Sequence, residues 1–166
     1  MASQPEVVEI RDISQHTDQT TERKTFRYGH LAGPPRSKTE LDAWQARSTR
    51  HRLADDLVEF LQRVDGLHLW ADLDRGRAYF GLAPLAEWYD ASAANAPVQL
   101  QGLPAGSFVV SYHENGDDFL VLDSVGGTYR WFDHEDTANP VVIGASLSQV
   151  LEWVWERSAE FKPRGV

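Results

Sequence analysis

Cysteine is absent from all 166 residues. That excludes a disulfide framework, a thiolate zinc site and a thiol nucleophile. Long apolar runs are absent too: none approaches the ~18 consecutive residues of a membrane-spanning helix. Residues 1–30 are polar, without the apolar run of a secretory signal. The expectation is a cytoplasmic protein with no membrane partner. Basic residues are scarce, with 16 Lys and Arg against 25 Asp and Glu, for a formal net charge of −9. A nucleic-acid binder presents the opposite sign on its contact face, so direct nucleic-acid binding is not expected. Several catalytic signatures are missing: G-x-S-x-G, G-x-G-x-x-G, a P-loop lysine and H-E-x-x-H.

What charge there is lies unevenly. Residues 20–52 hold eight basic and three acidic side chains, while residues 53–166 hold seven and eighteen. The densest acid runs from Ser111 to Asp136, where Glu114, Asp117, Asp118, Asp123, Asp133, Glu135 and Asp136 face Arg130 alone. Such a surface suits a basic protein partner. An acidic surface that only aids solubility is an even alternative.

The same stretch organises the fold. Ser107 to Asp133 reads as three antiparallel strands joined at Asn115-Gly116 and Gly126-Gly127, dipeptides that supply the φ > 0 residues of tight hairpin turns. Two-residue loops then set Tyr112 opposite Phe119, Val110 opposite Val121 and Phe108 opposite Asp123. In the second hairpin they set Asp123 opposite Arg130, Leu122 opposite Trp131 and Val121 opposite Phe132. One face carries Phe108, Val110, Tyr112, Phe119, Val121 and Phe132; the other carries Val109, Leu120, Leu122 and Trp131. With both faces apolar, the meander is expected at the covered centre of a sheet.

Around it the chain reads in order. Residues 1–33 form an N-terminal extension, partly disordered or an edge strand, with Gln15 to Lys24 as its polar loop. Ser37-x-x-Glu40 is a capping box that starts a short helix to about Arg47. Its exit carries Arg47, Arg50 and Arg52, a basic patch that either touches phosphate or solvates the helix and pairs with acids. Leu53, Leu57, Phe60, Leu61 and Val64 share one helical face, with Gly66 as the stop. Strands follow at Leu67–Trp70 and Tyr79–Leu82, then a helix opened by Pro84 through Leu85, Trp88 and Tyr89. Val141–Ile143 is extended. Ser146-x-x-Gln149 caps a last helix ending near Glu160, with Leu147, Val150, Leu151 and Val154 on its apolar face.

Candidate chemistry is thin. The six histidines, His16, His30, His51, His68, His113 and His134, show no metal-ligand spacing. His113 falls opposite Asp118 in the expected register, which favours a cross-strand ion pair over a ligand site. Asp72 to Gly76 begins like a calcium loop, but Ala83 stands at the twelfth position where a glutamate is needed. Asp133, His134, Glu135 and Asp136 form an acidic loop, read as solvated. Six tryptophans are expected mostly in the core. Trp153 falls off the apolar face of the last helix, so it either meets the N-terminal segment or stands exposed as a protein-binding hot spot.

The ordered set of elements resembles the SUKH superfamily of Smi/Knr-type proteins. Leu53 to Gly66 is similar to its Leu-Pro, Phe-Leu, Asn-Gly signature, with Ala54 in place of the proline and Asp65 in place of the asparagine. Tyr79 to Trp88, the Gly116-Asp117-Asp118 strand ending at Asp123, Gly127 to Trp131, and Ser146 to Leu151 resemble the segments that follow. The resemblance spans about Ser37 to Glu160, so a SUKH-like domain is expected over residues 34–166. It implies an α+β single domain, with a central mixed or antiparallel sheet, an antiparallel meander and flanking helices. It also implies a non-enzymatic protein with no catalytic residue, cofactor or metal. Bacterial members are similar to immunity proteins that bind a toxin domain, often a nuclease or deaminase, and block it. The alternative is a regulatory or scaffold adaptor binding endogenous proteins, as fungal relatives are. On the immunity reading, the contact residues are the acids Glu114, Asp117, Asp118, Asp133, Glu135 and Asp136, with Tyr112 and Trp131 as aromatic anchors, and the partner is a basic toxin domain.

Overall fold

A computed structural model describes residues 7–16, 21–48, 52–74, 80–97, 100, 102–112, 118–123, 127–133 and 135–157. Two antiparallel five-stranded sheets are built from strands β1 (Val7–His16), β2 (Thr21–Ala32), β3 (Leu67–Asp72), β4 (Phe80–Leu82), β5 (Tyr89–Asp90), β6 (Phe108–Val109), β7 (Ser111–Tyr112), β8 (Phe119–Leu122), β9 (Tyr129–Phe132) and β10 (Val141–Gly144). The first sheet runs β1-β2-β3-β4-β7 and the second β10-β9-β8-β6-β5. Helices α1 (Lys38–Arg47), α2 (Asp55–Leu61) and α3 (Leu147–Glu156) complete an α+β domain.

The sheets meet at Val110. Its N–H donates to Leu120 O at 2.9 Å, in the second sheet, and its carbonyl accepts from Ala83 N–H at 2.8 Å, beside β4. Ser111 Oγ adds a bond from Leu120 N–H at 2.7 Å. The strand expected as one piece from 107 to 112 therefore switches sheets midway.

The meander is present, and its centre is covered: all four residues of β8 are buried. Its register differs from expectation. Phe108 pairs with Leu122 and Val109 with Val121, one residue away from the two-residue-loop register. A one-residue slip moves every side chain to the other face. Phe108 and Val110 accordingly join Leu120, Leu122, Tyr129 and Trp131 on the helix side, while Val109 joins Phe119, Val121 and Phe132 on the opposite face. In the second hairpin Val121, not Asp123, pairs with Arg130. That two-residue shift preserves the faces. It leaves Asp123 diagonal to Arg130, which still donates from Nε to Asp123 Oδ2 at 3.1 Å. The assumption that failed is loop length; turn residues 113–117 and 124–126, including His113, lie outside the described residues.

The helix side holds the main core. Leu41 of α1, Leu57 and Leu61 of α2, and Leu147, Val150 and Val154 of α3 bury against Trp70, Phe80, Leu82, Val110, Leu120, Leu122 and Trp131. Each fully buried Leu or Val contributes about 1.5–3 kcal/mol from apolar area removed from water. The other face of the second sheet is closed by Ala91 and Leu100.

Several local expectations need correction. Gln15, His16 and Thr21 to Lys24 are strand residues, and β2 is interior, leaving β1 as the edge. The helix expected from Pro84 is a single 3₁₀ turn, Leu85–Glu87, after which Trp88 is already extended and β5 begins. Helix α2 stops at Leu61, so Gly66, at φ +92°, serves the turn into β3 and not the helix end. The capping box of α1 is complete: Ser37 Oγ accepts from Glu40 N–H at 3.3 Å and Glu40 Oε2 accepts from Ser37 N–H at 2.9 Å. That of α3 is displaced: Ser146 Oγ accepts from Gln149 N–H, but the Gln149 side chain reaches Ala145 N–H at 2.8 Å. Helix α3 ends at Glu156, short of the expected Glu160.

Candidate partner-binding surface

The acids named from sequence come from two separate segments. The pairing of Phe119 with Phe132 brings them to one end of the second sheet. Asp118 precedes β8 and Asp133 follows β9, so both sit at that end, and the loop onward to β10 carries exposed Glu135 and Asp136. Asp133 Oδ1 accepts from Glu135 N–H at 2.8 Å, and both Asp136 oxygens accept from Asn139 Nδ2, at 2.9 and 3.1 Å. These bonds tie the loop to itself while its carboxylates face solvent. Glu114 and Asp117 lie outside the described residues, as does His134.

The loop leads into β10, the terminal strand of its sheet. Val141 and Val142 there are 49% and 57% exposed. Adjacent side chains in a strand point to opposite faces, so both faces of this edge present apolar surface. An exposed apolar strip beside a charged, solvated rim is the anatomy of a protein contact.

The two aromatic candidates fare differently. Trp131 is 7% exposed, stacked on Phe80 with centroids 6.2 Å apart and tilted against Trp153 at 5.5 Å. It fastens α3 to the sheet and offers no surface to a partner. Tyr112 pairs through its backbone with Gly81; its side chain lies outside the description.

Trp153, expected to meet the N-terminal segment or stand exposed, is half-buried between Trp131 and the Arg157 guanidinium, 4.7 Å above its ring. The exposed tryptophan is Trp155, at 64%, its ring 6.1 Å from that of Trp70. Trp70 itself has φ +52°, the left-handed region that side chains rarely adopt. It sits where β3 bulges against β2, and its N–H donates to His30 Nδ1 at 3.2 Å.

Sequence reading missed a second feature. Trp44 of α1, Trp88 after the 3₁₀ turn, and Phe108 of β6 converge from three elements. Trp44 meets Trp88 edge-on at 5.9 Å and Phe108 at 5.4 Å. They floor a cleft of about 480 Å³, lined also by Arg47, Ser48, Leu85 and Ala86. The one sequence signal was a short helix with only Leu41 and Trp44 as large apolar residues, too narrow a stripe to seal itself to a sheet.

Among the described residues, no group of three or more His, Asp or Glu is arranged to hold a metal ion, and no helix is long and apolar enough to cross a membrane. The His68 pKa is lowered, chiefly by burial, against an opposing pull from Glu87. The fold defines an α+β protein whose acidic sheet end adjoins an exposed edge strand. No family model, curated protein or solved structure matches the chain.

Proposed function

We propose that this chain is a cytoplasmic immunity protein that binds a cognate bacterial toxin domain, of the nuclease or deaminase class, and neutralises it by direct occlusion. The observation that carries the reading is the convergence of Asp118, Asp133, Glu135 and Asp136 at one end of the second sheet, beside the exposed valines of β10. Toxins that cleave or edit nucleic acid need a basic contact face, and an acidic inhibitor meets that face with complementary charge. Complementarity speeds encounter and fixes register, which is what protection of a cell before damage requires. The SUKH-like order of elements supports the same reading, as an analogy of fold.

The test is binding of a toxin domain captured by this chain from its source organism. Glu135→Lys and Asp136→Lys together should raise Kd by about tenfold or more, mainly through a slower on-rate, and flatten its salt dependence. Unchanged Kd and salt slope in that variant would remove this surface. Stoichiometric recovery of several unrelated endogenous proteins, with no toxin-like domain among them, would favour the adaptor reading.

A further inference from the structure

We infer that the cleft between α1 and the 85–88 turn is a binding site for a small aromatic carboxylate, a function separate from the acidic surface. The first observation is shape. Trp44, Trp88 and Phe108 make one apolar floor, and a volume of about 480 Å³ falls within the ~300–1,000 Å³ of small-ligand pockets. The second is charge. Most described cations of this acidic chain are paired: Arg27 with Asp74, Arg36 with Asp65 and Glu40, Lys38 with Asp42, Arg63 with Glu59, and Arg130 with Asp123. Arg47, on the lip of the cleft, has no ion pair or hydrogen bond among the described residues. It lies one helical turn beyond Trp44, on the same face.

One ring-sized apolar floor with a single unpaired guanidinium in its lining calls for one aromatic ring system bearing one negative charge. The carboxylate takes a forked pair of bonds from Arg47 while the ring lies on the tryptophans. The Ser48 hydroxyl, also in the lining, supplies a further donor. Two features oppose an anion here, the carbonyl end of α1 and Glu40 at the far end of the adjoining groove. Glu40 is neutralised locally by Arg36 and by the Ser37 N–H, which leaves Arg47 to set the sign at the lip.

The probe is 1-naphthylacetate, titrated into the full chain and followed by tryptophan fluorescence, with backbone amide shifts locating the site. Saturable binding is expected with Kd of about 1 mM or tighter, shifts centred on Trp44–Ser48 and Leu85–Trp88, and about tenfold weaker binding of the neutral 1-naphthylacetamide. Arg47→Gln, an exposed change that leaves the core intact, should bring the acid down to the level of the amide. Arg52→Gln, a change at an exposed arginine outside the cleft lining, should leave affinity unchanged. Equal binding of acid and amide, an Arg47→Gln variant that binds like the parent, shifts confined to other segments, or no saturation would each overturn the assignment.

Discussion

Asp65 is 2% exposed, yet it is a carboxylate, and the fold around it depends on its two oxygens. Oδ1 accepts from Leu85 N–H at 2.7 Å and Oδ2 from Arg36 Nε at 2.5 Å. It thereby joins the start of α1, the turn into β3 and the 3₁₀ turn that positions Trp88. Asp65→Ala strands the Leu85 N–H in the interior, at about 1–3 kcal/mol. Arg36 loses its better partner but keeps Glu40 and is 30% exposed, so water screens that loss to about 0.5–1 kcal/mol. The expected cost is about 2–4 kcal/mol. Asp65→Asn keeps an acceptor for Leu85 and sets an amide N–H against the Arg36 donor, costing about 1–2 kcal/mol. Urea unfolding at fixed m measures both, and each kcal/mol lowers Tm by about 2–4 °C in a chain of this size. A loss below about 0.5 kcal/mol for Asp65→Ala, or an Asn variant as unstable as the Ala one, would refute the assignment of the Leu85 bond as the larger contribution.

Three further perturbations follow from the same structure. Tyr129 is buried with its hydroxyl lacking a hydrogen-bond partner among the described residues, and burial, then the charge of Asp56, raises its pKa. Tyr129→Phe removes that orphaned group and should stabilise the protein by about 1 kcal/mol in urea unfolding, whereas a loss of 1 kcal/mol would mean the phenol is satisfied. A Cβ at Gly33 would lie 1.9 Å from Asp65 O, against backbone that is itself bonded through Gly33 N–H to Gly66 O at 2.8 Å. Gly33→Ala should therefore cost about 3 kcal/mol, and a neutral result would show that β2 can shift relative to β3. The Ser37 N–H and hydroxyl, with Arg36, hold the Glu40 carboxyl at a pKa of about 2, below its unfolded value. A depressed acid stabilises above the unfolded pKa and loses that contribution as pH falls, so the stability gap between parent and Glu40→Gln should be constant at neutral pH and close between about pH 4 and 2. A gap unchanged at pH 2.5 contradicts the capping account.

Much of this fold is legible from residue pattern, because local rules and tertiary structure agree. The Ser37–Glu40 box, the Leu57 and Leu61 stripe and the all-apolar β8 each form as their sequences dictate. Disagreement arises where a single unobserved quantity propagates. A loop one residue different from the assumed length reverses the face of Phe108 and Val110, since side chains alternate with period two. Tertiary pairing overrides propensity in the polar segment Thr21 to Lys24, which no burial pattern marks as strand but which β1 recruits. The acidic surface was readable because charge survives any register. The aromatic cleft was not, since Trp44, Trp88 and Phe108 lie far apart in the chain and meet only after α1 packs. Trp131 shows the converse error: an aromatic beside acidic residues in sequence, but buried beneath α3.

We propose that the acidic end of the second sheet grips a basic toxin domain. The most direct test is stoichiometric capture from the source organism by the tagged chain, run in parallel with the Glu135→Lys, Asp136→Lys variant, with mass spectrometry of what co-elutes. One toxin-like domain should co-elute with the parent and be lost with the variant at equal protein stability. A toxin-like domain retained equally by both would move the contact to another face, and the absence of any such domain while the toxin is expressed would contradict the immunity function itself.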